Sequence, residues 1–561
     1  MKRKNIFKCI VSSLLVSVMF LTGCGSDDIR MTQTKTMSEE DAKAELGALI
    51  KKVNVKTVDN PAIDLSLEET SEADALADIN TFPIVLEGSG QVNIEIAAPS
   101  EFCGSAPDDW LIVAAQKFNK SNMQIDGKTA SVSIRKISSG EVVTYVNAGA
   151  YKPDVYIPSN YALGKMLESS GVGIKKIEDR LAGNTAGILM KEDIYNTVKE
   201  KYGNVDVKSV LTAANAGDLI FAYTNPYTSA TGLNILTSML ASFDENDPLS
   251  NAASDALLEY QKTAPPVAYT TGVLRESAKK GVVNAMVMEE QSYINTAELK
   301  KYIYTPVGIR HDHPVYIFDW TSEEEMQIAQ QFVEFCKSDE MQKLATEKGF
   351  NRNDSYVGKD TGLTGTQYLS AQKLWKENKT GGKPVVAVFV TDVSGSMNGS
   401  AISSLKDSLI KSSIYIGENN YVGLVSYSSD VTINLPINQF NAMQKAMFSG
   451  EVRKLGASGG TATYDALVVA MNMIEKKLDE IPNAQPIIFL LTDGKQNEGY
   501  SLNRVKDIVG GLQIPVYSIA YNYNEQDNDL KTLSSINEAA AINANTDDVV
   551  NQLRNLFNVN M

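Results

Sequence analysis

The chain has 561 residues, a formal charge of −16 and 43% hydrophobic residues, enough apolar content for more than one packed domain. An acidic excess of this size disfavours nucleic acid and anionic lipid surfaces as partners. His311 and His313 are the only histidines, and no pairing of nucleophile with base emerges, so the chain is read as non-enzymatic.

At the start, Lys2, Arg3, Lys4 and Lys8 precede an apolar stretch over residues 9–21, too short to span a bilayer comfortably and laid out like a secretory leader. It closes with Leu21-Thr22-Gly23-Cys24, which resembles the bacterial lipobox. That resemblance implies a signal peptide over 1–23 and a lipidated (palmitate-bearing) Cys24. The product would be a lipoprotein anchored in the cell membrane and facing the extracellular side or periplasm. Cys103 and Cys336 then remain, and either a disulfide or two thiols is compatible with their spacing.

Residues 24–82 read as an acidic spacer. Ser38-Glu39-Glu40-Asp41 has the form of a capping box, so a short helix is expected inside an otherwise stalk-like, polar stretch.

From 83 to 350 the pattern alternates strands and helices. Residues 92–98 alternate and end at Pro99-Ser100; 110–118 have helical spacing; 131–135 alternate and stop at Ser138-Ser139-Gly140. Further strands are expected at 155–157, 219–223 and 285–288, the second running into Asn225-Pro226-Tyr227-Thr228-Ser229-Ala230-Thr231, and one long helix at 322–348. This order resembles a type II periplasmic solute-binding protein, which implies two α/β lobes closing on a ligand. Ser100, Ser138, Ser139, Thr228, Ser229 and Thr231 stand at helix starts, where free backbone donors suit an anion or carboxylate, and Tyr227 could form a wall. Each also fits a plain helix cap. His311-Asp312-His313, followed by Pro314, reads as a loop near the lobe surface rather than a metal site.

Residues 351–382 form a polar linker with a helical stretch at 368–376. The last region, 383–561, opens with an apolar run over 385–390 that ends in Thr391-Asp392-Val393-Ser394-Gly395-Ser396. One carboxylate and two hydroxyls on a tight loop supply half the oxygen shell of a hard cation. Gly459-Gly460-Thr461 offers a third hydroxyl, and a second apolar run over 487–491 ends in Thr492-Asp493. Ligands gather at the carboxyl ends of parallel strands, so the three segments can converge. The region resembles a von Willebrand factor type A domain, expected as a doubly wound, mostly parallel sheet with 431–435 as an antiparallel edge strand. On that resemblance Asp392, Ser394, Ser396, Thr461 and Asp493 form a metal-ion-dependent adhesion site for Mg2+, with Mn2+ an acceptable substitute.

Two functions follow. The first is a surface lipoprotein whose metal site takes an acidic group of a protein partner, while the lobes take a small-molecule or anionic solute. The second is the substrate-binding lipoprotein of an ABC-type transporter with the metal domain as an accessory.

Overall fold

The computed structural model describes residues 37–65, 73–263, 265–268, 271–279, 283–493, 496–521, 528–537, 541–544 and 549–561. The leader and Cys24 lie outside the described residues. No helix among the described residues is long and apolar enough to cross a membrane.

Three sheets organise the chain. In the C-terminal sheet every residue of Val385–Asp392 is buried, as an apolar run covered on both faces requires. Its side chains alternate: Val386, Val388 and Val390 pack toward the helix Thr463–Glu480, while Val385, Ala387 and Phe389 pack toward Ser400–Ser412 and Val549–Asn560. Parallel neighbours Tyr421–Tyr427 and Gln485–Thr492 flank it, followed on the latter side by Val516–Tyr521 and Ala541–Ala544. Helices on both faces of a mostly parallel sheet make this the doubly wound architecture.

Two expectations change here. Val431–Gln439 is antiparallel to Tyr421–Tyr427, but it is not the edge, because Val55–Thr57 pairs beyond it. The segment read as a stalk is thus, over 38–65, part of the C-terminal domain. Ser38 caps the helix Glu39–Ile50 by accepting the Asp41 N–H at 3.1 Å, and that helix buries Ala42, Leu46 and Leu49 in the domain core. Burying two leucines is worth about 3–6 kcal/mol, which a solvated stalk would forgo. Lys56 and Asn54 close the edge on Asp430, at 2.7 and 2.9 Å.

The other two sheets form two lobes. One has the order Ile84–Leu86, Lys128–Lys136, Val92–Ala98, Val155–Tyr156, Val315–Phe318, Ile174–Glu178; the other runs Val267–Ala268, Phe221–Thr224, Ala285–Glu289, Thr185–Lys191, Tyr302–Arg310. The chain crosses between them near 179–184 and again near 311–314, and these crossings hold each other through His311 N–H to Asn184 O (3.0 Å) and Leu181 N–H to Asp312 O (3.1 Å). His311 and His313 are therefore hinge residues with no exposed surface, not a surface loop. The helix expected over 322–348 is two, Glu323–Cys336 and Asp339–Glu347, because Ser338 takes an extended conformation and starts a new acidic N-terminus.

The linker is also structured. Thr364 and Gln367 form a reciprocal cap for the helix Gly365–Asn378, which packs on both lobes and buries Trp375, its indole N–H donating to the Tyr223 hydroxyl at 2.7 Å. Lys376 then reaches the C-terminal domain, donating to Tyr415 O at 2.9 Å and Asn558 Oδ1 at 3.1 Å. Arg554, on the last helix, pairs with Glu141 of the first lobe, both side chains buried. Cys103 and Cys336 are free thiols in one apolar cluster, and burial raises the pKa of both.

Candidate functional site

The loop expected to hold a cation grows from the carboxyl ends of two adjacent strands. Asp392 ends its strand fully buried; Oδ1 accepts the Ser394 N–H at 2.8 Å and Oδ2 the Thr492 hydroxyl at 2.7 Å. Ser394 Oγ lies 3.0 Å from Ser396 Oγ, which donates to Asp493 Oδ1 at 2.9 Å. Four of the five expected residues thus form one connected chain. Thr461 joins through its loop: Gly395 N–H donates to Gly459 O at 3.0 Å and Ser458 N–H to Val393 O at 2.8 Å. Gly459 has φ +85°, which lets the loop turn in so closely.

Burial raises the Asp392 pKa, and no basic side chain pairs with it among the described residues. An unneutralised buried carboxylate beside hydroxyls and a second acid fits a hard divalent cation. Sequence reasoning missed three neighbours. Thr492 fixes the Asp392 carboxylate, and Asn497 Oδ1 accepts the Thr461 N–H at 2.8 Å. The Glu498 carboxylate sits against Gly460, where an added Cβ would meet it at 2.3 Å.

Between the lobes, Ser100, Ser138, Ser139, Thr228, Ser229 and Thr231 line one cavity of about 20 Å³. Tyr227 does not: its ring turns away and lies 6.1 Å from that of Trp375. The lobes touch here, with Gly140 N–H donating to Thr228 O at 3.1 Å, so the cleft is closed. Some of the hydroxyls are already used. Ser229 caps its helix through the Gly232 N–H at 3.2 Å, and Ser139 Oγ accepts the Ser159 N–H at 3.2 Å.

The lining also holds Ser159, Thr271 and two acids, Glu101 and Glu289, none of them foreseen. Two buried carboxyls face the space, and among the described residues no basic side chain lines it. Burial, helped by the charge of Glu289, raises the Glu101 pKa to about 8; burial raises that of Glu289 to about 7. His311 closes the group: Nε2 lies 3.1 Å from Asn160 Nδ2 and 3.2 Å from Asn234 Nδ2, both amide donors, so the ring proton is on Nδ1, 3.0 Å from Glu289 Oε1. Burial lowers the His311 pKa to about 4.

Comparison with known proteins divides the chain in the same way. Residues 387–558 match the von Willebrand factor type A domain family, and residues 102–351 match the family of bacterial extracellular solute-binding proteins. The chain therefore joins a solute-binding-protein-like region to a C-terminal von Willebrand factor type A domain. Inter-alpha-trypsin inhibitor heavy chain H3 of Bos taurus is 31% identical over 175 residues, 28% of this chain and 19% of that protein. The Mus musculus protein of the same name is 30% identical over the same length. The chain thus spans about a fifth of the length of these relatives. Among solved structures, the sulfate-binding protein SubI of Mycobacterium tuberculosis H37Rv aligns at 16% identity over 47% of this chain and 88% of that one, with a TM-score of 0.35. A von Willebrand factor type A protein from Catenulispora acidiphila aligns at 18% identity, covering 31% and 42%, with a TM-score of 0.29.

Proposed function

We propose that this chain is a non-enzymatic binding protein of the cell exterior, held to the membrane by lipid on Cys24, whose C-terminal domain captures a protein partner through a divalent cation. The observation that carries the reading is the bonded run Thr492, Asp392, Ser394, Ser396, Asp493 with the Thr461 loop fastened beside it. Asp392, Ser394, Ser396, Thr461 and Asp493 would hold Mg2+ or Mn2+. The bound cation supplies an electron-poor position for a carboxylate oxygen of the partner. The chain's own residues set the selectivity, since the five side chains offer hard oxygens only.

Titrating Mg2+ into the full-length protein and its Asp392→Ala form tests this. Saturable binding that Asp392→Ala lowers by one site, and chelator-sensitive retention of a surface protein, are expected. Equal binding in both forms would remove the basis of the reading.

A second reading, in which the lobes serve as a transporter's receptor and the C-terminal domain is an accessory, is favoured by the polar pocket where the two lobes meet. A solute that stabilises the protein by raising its unfolding midpoint would support it.

A further inference from the structure

We propose that the cleft between the lobes holds a hard divalent cation, with Glu101 of one lobe and Glu289 of the other as its carboxylate ligands. The inference rests on the reading of the lobes as a receptor and names the class of solute.

Glu289 is the decisive residue. It is 1% exposed, and its Oε1 receives the Thr231 hydroxyl at 2.9 Å and the His311 ring at 3.0 Å. Its Oε2, equally buried, has no partner among the described residues, and the residue lines the cavity. A carboxylate oxygen buried without a partner costs about 1–3 kcal/mol or more, so its retention calls for something to meet it. Ser138 Oγ, another lining atom, is buried and unpartnered in the same way.

Geometry across the lobes points the same way. Glu101 stands on the short helix Ser100–Cys103 of the first lobe, with Oε1 accepting the Ser159 hydroxyl at 2.5 Å. Closing the hinge therefore brings one buried carboxyl from each side toward a common space. A divalent cation bonded to both carboxylates, one on each lobe, would hold the cleft closed. The guanidinium of Arg275 is paired with Asp108 at 3.0 Å and does not line the cavity.

Size and donor type narrow the class. The space between the lobes is small in this closed arrangement, about 20 Å³, which is room for an ion. Among the described lining residues the free side-chain donors, Glu289 Oε2 and Ser138 Oγ, are oxygens, the set that suits Mg2+, Ca2+ or Mn2+. Both nitrogens of His311 are already bonded, and no cysteine lines the space.

Mn2+ added to full-length protein, with bound ion counted by electron paramagnetic resonance, tests the assignment. Wild type should hold two ions, and Asp392→Ala one. Adding Glu289→Gln or Glu101→Gln to Asp392→Ala should weaken the remaining ion at least about tenfold. Ser138→Ala, which removes no charge and little volume, should weaken it less, and a native far-UV spectrum confirms that each variant folds. If Asp392→Ala binds no Mn2+, or binds it equally with and without Glu289 and Glu101, the assignment is overturned. In that event a midpoint raised by sulfate or phosphate would leave the receptor reading standing with an anion as solute. No shift with any ion would overturn both.

Discussion

At the residue scale, the two candidate sites differ in how a linear chain discloses them. Asp392, Ser394 and Ser396 alternate within one turn, and Thr461 and Asp493 each end a recognisable segment, so all five could be named before any contact was known. Glu101 and Glu289 carry no such pattern. One follows Pro99-Ser100 like any acid in the first turn of a helix, and the other ends a strand, so both read as solvated charges until burial is seen. His313 is another residue of this kind. Its ring stacks on Phe102 with centroids 4.0 Å apart, its Nδ1 lies 3.0 Å from Ala182 O, and burial lowers its pKa to about 4. The sign follows directly: a histidine whose folded pKa lies below the ordinary 6.5 contributes stability above that value and loses it as pH falls toward 4. Over that window its share amounts to about 3 kcal/mol at about 1.4 kcal/mol per pKa unit. Compared at pH 6.5 and 4 by chemical unfolding, His313→Phe should lose less stability than the wild type. Parallel losses in both would show that His313 does not titrate in this way.

At the scale of elements, amphipathic pattern located most strands and helices, and failed where a segment's partner lay far along the chain. Residues 39–50 satisfy a helix cap locally, but nothing near them states that Leu46 and Leu49 enter a core built from residues beyond 386. Polar composition then favoured a stalk. The same holds for Gly365–Asn378, whose Trp375 is buried against Tyr223 more than a hundred residues away. Leu46→Ala should destabilise the C-terminal domain by about 2–5 kcal/mol, the usual cost of a leucine-sized cavity. The measurement is that domain's denaturant midpoint. An effect below about 0.5 kcal/mol would return the helix to the role of a loosely attached spacer.

At the scale of the molecule, the C-terminal domain is docked to the lobes. The bridging helix, Lys376 and the buried pair Arg554 and Glu141 join them, and Glu141 lies two residues past Ser139, a lining residue of the cleft. Breaking a buried pair from one side strands a charge and costs about 3–5 kcal/mol, whereas replacing both partners with apolar groups is far milder. Arg554→Met should therefore separate the unfolding of the lobes and the C-terminal domain into two transitions by calorimetry, and Arg554→Met with Glu141→Leu should largely restore one. A single unchanged transition in Arg554→Met would mean that the pair does not hold the regions together.

From its sequence alone, this chain disclosed two α/β architectures in order, because apolar periodicity is written locally, and it offered a candidate five-residue cation site spread over three segments. Only the tertiary structure decided that residues 38–65 complete the last domain, that the linker is a clamp, that the histidines form a hinge and that two acids face each other between the lobes. Each of these depends on burial by distant partners. A side chain's charge, exposure and available bonds are set by the surface that folds over it, and local sequence carries no record of that surface.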